Sequence, residues 1–182
     1  MCYDDDMKAT FVFDARALIT TARFEIVGTP ILDHIIACCQ LVISQTVKIE
    51  VVDAGLQGGY ADAVLLDAQI GSGAIEVMTT QPNPGAFQTV LDDYGIEAGD
   101  KDLLWLCRQI QGYESAIVDD RLLYIVLSRF QMRPRFLPDL VVWLVQQGHW
   151  TVDLAREALN VTRPRYRTGF ITHSLEQLKG SL

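Results

Sequence analysis

A single α/β domain with a mostly parallel sheet is predicted by three observations. Short apolar runs, TFVF (10–13), QLVIS (40–44), AIEVM (74–78) and SAIV (115–118), alternate with longer stretches of helical periodicity. Parallel strands cannot be joined by a tight turn, so strand–helix alternation implies crossovers that lay helices on both faces of one sheet. The 182 residues are 49% hydrophobic and 21% charged, enough to bury a substantial core, with no internal repeat and no low-complexity linker to split it.

Each element has its own signal. TFVF is a buried strand, and ARALITTARF follows as a helix with Ala17, Leu18 and Thr21 near one face. Pro30 suits a first helical turn, which ILDHIIACC continues. QLVIS is the second strand. TVKIEVVDAGL is a helix ended by Gly55 or by Gly58-Gly59, with Val47, Val51 and Ala54 on one face and Glu50 near it. ADAVLLDAQIG is a helix and AIEVM a strand, and QPNPG is a loop by its Pro and Gly content. AFQTVLDDYG is helical and GIEAG breaks it. Asp100 or Gly99 then caps a helix whose stripe is Leu103, Leu104, Leu106, Cys107 and Ile110. SAIV is a strand and DDRLLYIVLSRF a helix. MRPRFL is an extended link, kept non-helical by Pro134. PDLVVWLVQQG, TVDLAREALNV and THSLEQLKG are the last helices, the final two separated by the basic turn TRPRYRTG.

Composition excludes several classes of function. No apolar run approaches the roughly 18 residues that span a bilayer. The acidic start MCYDDDMKAT is no secretory signal, and Cys2, Cys38, Cys39 and Cys107 form no CxxC, so the expectation is a cytoplasmic protein with core thiols. His34, His149 and His173 lie away from the acidic motifs, and no phosphate-binding glycine fingerprint is present. The net charge of −8 opposes a broad grip on nucleic acid. It is unevenly spread: residues 1–120 carry 6 Lys and Arg against 19 Asp and Glu, and residues 121–182 carry 9 against 4. The basic part holds Arg121, Arg129, Arg133, Arg135, Arg163, Arg165 and Arg167, a set for phosphate contacts or for an ordinary solvated surface.

Four carboxylates sit where strands give way to helices or on early helical turns: Asp14, Glu50, Asp100 and Asp119. A carboxylate beside a buried strand end costs desolvation energy, and a divalent cation is the usual compensation. Hard oxygen ligands at one rim of a parallel sheet suit Mg²⁺ or Mn²⁺ and phosphodiester hydrolysis. Three of these acids also have a plain reading, Asp100 as a cap, Asp119 as a turn residue and Glu50 as a surface residue, and the plain reading is weakest for Asp14, which follows a strand that should be central.

The order of these motifs resembles the PIN-domain family. FVFDARALITTARF is similar to the family's opening strand, Asp and helix, and VISQTVKIEVVDAG to its second strand and Glu-bearing helix. The most specific stretch is YGIEAGDKDLLWLCRQIQGYESAIVDDRLLYIVLSRF, and the tail from LPDLVVWLVQQG resembles a subgroup with a longer helical C-terminus. The resemblance spans roughly residues 9–178. It implies one domain over 1–182, a core about 9–137 with a helical extension about 138–182, in a three-layer α/β/α fold. It implies a metal-dependent ribonuclease, the toxin of a toxin–antitoxin pair, with Mg²⁺ or Mn²⁺ on Asp14, Asp100 and Asp119 and with Glu50 completing the quartet. Asp102 and Asp120 are alternates, and Asp120 doubles as a cap for the next helix. The implied partners are RNA and a small antitoxin. A second copy of the chain is expected because the apolar, aromatic C-terminal segments, with Trp143, Trp150, Phe170, Val141, Val142 and Val145, exceed what a surface layer needs. Where the family carries a small hydroxyl residue after the first Asp, this chain has Ala15 and Arg16. Arg16 is expected to pair with the acids, bind substrate phosphate alongside Arg121, or obstruct a metal. Loss of the metal would leave a PIN-like binding module; a phosphatase or receiver-like domain ranks last, since no Lys follows SAIV.

Overall fold

The computed structural model describes residues 8–83 and 85–180; Cys2 and most of the acidic start lie outside them. Five strands form one fully parallel sheet: β1 (Ala9–Phe13), β4 (Cys39–Ser44), β5 (Ile75–Met78), β6 (Ser115–Ile117) and β7 (Pro134–Arg135), in the order β5-β4-β1-β6-β7. A separate antiparallel hairpin pairs β2 (Glu25–Ile26) with β3 (Thr29–Pro30). The four apolar runs read as strands are β1, β4, β5 and β6. The fifth strand comes from the MRPRFL link. β6 donates Ala116 N–H to Arg133 O and Val118 N–H to Arg135 O, so the edge strand supplies acceptors and Pro134 loses nothing by having no N–H.

Alternation along the strands sorts the core into two halves. Phe11 and Phe13 of β1 face one side with Leu41, Ile43, Ile75 and Ile117; Val12 faces the other with Val42, Ala116 and Val118. The first side is covered by α1 (Ala15–Arg23), α2 (Ile31–Cys38), α5 (Ala61–Gly71), α9 (Leu137–Gln146), α10 (Val152–Val161) and α11 (Thr168–Lys179). The second is covered by α6 (Ala86–Asp93), α7 (Ala98–Gln109) and α8 (Arg121–Arg129). The result is a three-layer α/β/α fold. Full burial of a side chain such as Phe11 contributes about 1.5–3 kcal/mol.

The helix after β4 differs from its expected form. It starts as α3 (Gln45–Lys48), widens into a π-helical stretch (Ile49–Ala54) and closes as α4 (Gly55–Gln57). Gly55 does not end it. A Cβ on Gly55 would lie 2.6 Å from that of Ala63 on α5, so Gly55 is there for close approach, and the left-handed turn comes at Gly59 with φ +72°. The N-cap of α7 is Glu97 rather than Asp100 or Gly99, which places Asp100 in the first turn. The C-terminal helices belong to the main core: Trp143 meets Phe11 edge-on at 5.0 Å, and Trp150, Val141 and Val142 are buried in the same cluster. The apolar surplus invoked for a second chain is therefore largely spent inside this one. Among the described residues no helix is long and apolar enough to cross a membrane.

Candidate functional site

The chain places β4 and β5 on one side of β1 and β6 and β7 on the other. The sheet thus reverses direction at β1 and β6, and the crevice beyond their carboxyl ends is where such folds bind ligands. Phe13 is in register with Ile117. The next residues along are Asp14 on one strand and, after Val118, Asp119 on the other.

Asp14 is only 5% exposed and fastens this junction. Its N–H donates to Ile117 O at 3.0 Å. Its Oδ1 accepts from Ala17 N at 2.6 Å as the N-cap of α1, and its Oδ2 accepts from Asp119 N at 2.8 Å. Burial nevertheless pushes its pKa up to about 7, against those two hydrogen bonds, and the charges of Asp119 and Asp100 push the same way.

Asp119 is held from two other directions. Its Oδ1 accepts from the Tyr166 hydroxyl at 2.6 Å and its Oδ2 from the Thr20 hydroxyl at 3.3 Å. Burial raises its pKa, with the Tyr166 bond and the nearby Arg165 and Arg16 charges opposing. Asp100 is half-buried in the first turn of α7. Its pKa rises to about 6, first through burial and then through the charges of Asp120, Glu97 and Glu50, against the pull of Arg16. Glu50 is exposed in the π-helical stretch, close enough for its charge to act on Asp100. Asp14, Asp100 and Asp119 therefore share one electrostatic neighbourhood, with Glu50 at its rim.

The alternates have other work. Asp120 caps α8 by accepting from Leu123 N at 2.9 Å, and pairs with Arg16 Nη1 at 3.3 Å. Asp102 accepts from the Thr46 hydroxyl and from the Thr80 hydroxyl, the latter at 3.0 Å, tying α7 to α3 and to the segment after β5. Arg16 reaches the acids as expected of a residue two positions past Asp14, and Arg121 lines a cavity beside Asp119.

The donor chemistry suits a hard divalent cation: oxygen ligands, buried, repelling one another, and with two pKa values raised to about 6 and 7. As the side chains stand, no three His, Cys, Asp or Glu residues among the described ones converge closely enough to hold an ion. Each Asp14 and Asp119 oxygen already accepts a hydrogen bond, so binding would require these carboxylates to turn or to use their remaining lone pairs.

No protein-family model matches this chain, and neither does any curated protein.

Sequence reasoning missed Tyr166 and Thr20. Thr20 lies within α1, but its hydroxyl also bonds Arg16 O, so nothing local singles it out. Tyr166 sits 47 positions from Asp119 in a turn that reads only as basic, and no local pattern connects the two.

Proposed function

We propose that this chain is a metal-dependent ribonuclease of PIN type, the toxin of a toxin–antitoxin pair. The observation that carries the reading is the meeting of Asp14 and Asp119 at the sheet's reversal point, both with raised pKa values and with Asp100 in electrostatic reach. Buried acids at such a point are destabilised in their charged form until a cation joins them, which is a reason to keep them for chemistry rather than stability. Asp14, Asp100 and Asp119 would hold the cation. When bound, Mg²⁺ or Mn²⁺ supplies a nucleophilic water at neutral pH and charge stabilisation for the departing oxygen.

The chain's own groups do the positioning. Asp14 is fixed by two backbone N–H groups, so its carboxylate is preorganised. Tyr166 and Thr20 orient Asp119. Glu50, exposed at the rim and acting on Asp100 through its charge, would orient the attacking water. Arg16 and Arg121 neutralise substrate phosphate. A homodimer and a small antitoxin belong to the same reading.

A second reading is favoured by one contact. Arg16 places a guanidinium against Asp120, and its charge lowers the pKa of both Asp100 and Asp119. That is partial compensation of the kind a metal would give, and it suits a binding module without catalysis. Cleavage of a short single-stranded RNA separates the two. The nuclease reading expects hydrolysis that requires Mn²⁺ or Mg²⁺ and is abolished by Asp14→Asn; no metal-dependent cleavage by the folded wild-type chain would defeat it.

A further inference from the structure

Beside Asp119 lies a cavity of about 670 Å³, within the range of small-ligand sites. Arg121 and Tyr124 of α8, Phe136 just before α9, Arg165 and Arg167 of the basic turn, and Phe170 of α11 line it. These residues come from four separate parts of the basic C-terminal third. The cavity adjoins the acids, since Arg16 and Asp119 also form its wall.

Two properties of the lining define a ligand. The first is unmatched positive charge. Arg23, Arg135 and Arg156 each pair with a carboxylate, whereas Arg121, Arg165 and Arg167 have no ion-pair partner among the described residues. Arg165 acts on Asp119 through its charge, but three guanidinium groups without an ion pair beside one carboxylate leave this cavity net positive in a chain of net charge −8, and such a cavity selects an anion. The second is a rigid aromatic wall. Tyr124 and Phe136 stack at 4.6 Å with planes 3° apart, and Phe170 meets Phe136 at 4.9 Å and 62°. Phe170 remains 41% exposed, an aromatic side chain backed by packing and open on the cavity. A flat apolar face beside guanidinium donors matches a nucleobase with its phosphates; inorganic phosphate or an acidic peptide would leave the aromatic wall unused. A duplex hides its base faces, whereas a single strand offers them.

We propose that this cavity is a nucleotide site for single-stranded RNA, with one base on the Phe136–Phe170 wall and flanking phosphates on Arg121, Arg165 and Arg167. The choice of RNA and the placement of the next phosphodiester at Asp119 rest on the nuclease reading; the base-and-phosphate chemistry does not. The site would make cleavage sensitive to the base beside the broken bond, and it explains how an acidic protein takes a polyanion.

The test is fluorescence anisotropy with an end-labelled hexaribonucleotide in EDTA, so that binding is read without cleavage. Phe170→Ala should weaken binding roughly tenfold. Arg167→Ala should reduce the slope of log K against log salt by about 0.7, one phosphate contact to a single strand. Arg156→Ala, paired with Asp153 outside the cavity, should change neither. Melting curves check that the variants fold. Wild-type affinity in both cavity variants would overturn the proposal, as would equal affinity for a duplex of the same length or for free UMP. The two readings fail separately. Binding lost in the cavity variants, with no cleavage by wild type in Mn²⁺, removes the nuclease and keeps the site. Cleavage with unchanged KM in Phe170→Ala removes the site and keeps the nuclease.

Discussion

Tyr166 shows how one side chain sets the state of another. Burial, then the charge of Asp119, holds its hydroxyl protonated well above the ordinary tyrosine range, so it donates to Asp119 at every working pH. Phenylalanine would keep the ring and leave Asp119 Oδ1 unmatched. Tyr166→Phe is expected to destabilise the metal-free protein by about 1.5–3 kcal/mol, the range for hydrogen bonds to charged groups, with a smaller loss in Mn²⁺; urea titration with and without the ion measures both. Asp14 and Asp100 carry a second consequence. Their pKa values rise from 3.8 to about 7 and about 6 on folding, so between those values the folded chain holds more protons than the unfolded one. Their contribution to stability is complete below the unfolded value and is lost as pH rises through about 6 to 7. In EDTA, Tm should therefore be higher near about pH 5 than near about pH 8, opposite to salt-bridged carboxylates, and Asp14→Asn should flatten the difference. A Tm that climbs steadily with pH would show these acids to be well solvated.

At the scale of elements, the hairpin between β2 and β3 explains what the sequence conceals. Ile26 pairs with Thr29, so the loop is Val27-Gly28, with φ 54° and 71°. Two residues with positive φ make the tight hairpin turn for which Asn-Gly is the usual signal. A β-branched Val in that place gives no such signal, and Pro30 draws the eye to the helix it begins. Val27 is 75% exposed and its N–H is bonded by Glu157 at 3.2 Å, so the strain is offset from α10. Val27→Asn should relieve it and stabilise the protein by roughly 1 kcal/mol, read as a rise in urea midpoint with unchanged m; a fall would mean that the Val side chain packs usefully. The other misreadings have similar causes. Gly55 looks like a helix end because its close approach to Ala63 depends on how α5 packs back against this helix, which no local pattern shows. β7 is too short to show a period. By contrast, β1, β4 and β6 are legible because both faces of the sheet are buried there and the strands read as apolar runs, whereas β5, at the edge with Glu76 exposed, is legible from the alternation of Ile75, Glu76 and Val77. The acids at strand ends were legible for the same reason, while their hydroxyl partners on α1 and in the basic turn were not.

For the molecule as a whole, the decisive feature is that its two charge populations meet. The acidic first 120 residues bring Asp14, Asp100 and Asp119 within electrostatic reach of one another, and the basic remainder builds most of the cavity wall beside Asp119. Arg16 and Asp119 stand on the boundary. Helix dipoles contribute, since Asp14 and Asp120 sit at the N-termini of α1 and α8, where backbone N–H groups favour negative charge. They do not suffice, because the pKa values of Asp14 and Asp100 remain raised. A ligand that removes this residual repulsion binds the folded chain and not the unfolded one, and it must raise Tm. At a hundred times its Kd, such a ligand stabilises by about 2.7 kcal/mol. For a chain of this length each kcal/mol is worth about 2–4 °C. Saturating Mn²⁺ should thus raise Tm by about 5–11 °C near neutral pH. The shift should shrink as the solution is acidified through the Asp14 and Asp100 pKa values, since protons compete with the ion for the same oxygens. Asp14→Asn and Asp119→Asn should each reduce it, while Asp102→Asn should leave it intact, because the Asp102 carboxylate ties α7 to Thr46 and Thr80, outside the junction of Asp14 with Asp119. An equal shift in all three variants would place the ion elsewhere. No shift in wild type, with RNA binding retained, would leave Arg16 as the cation these acids were built around.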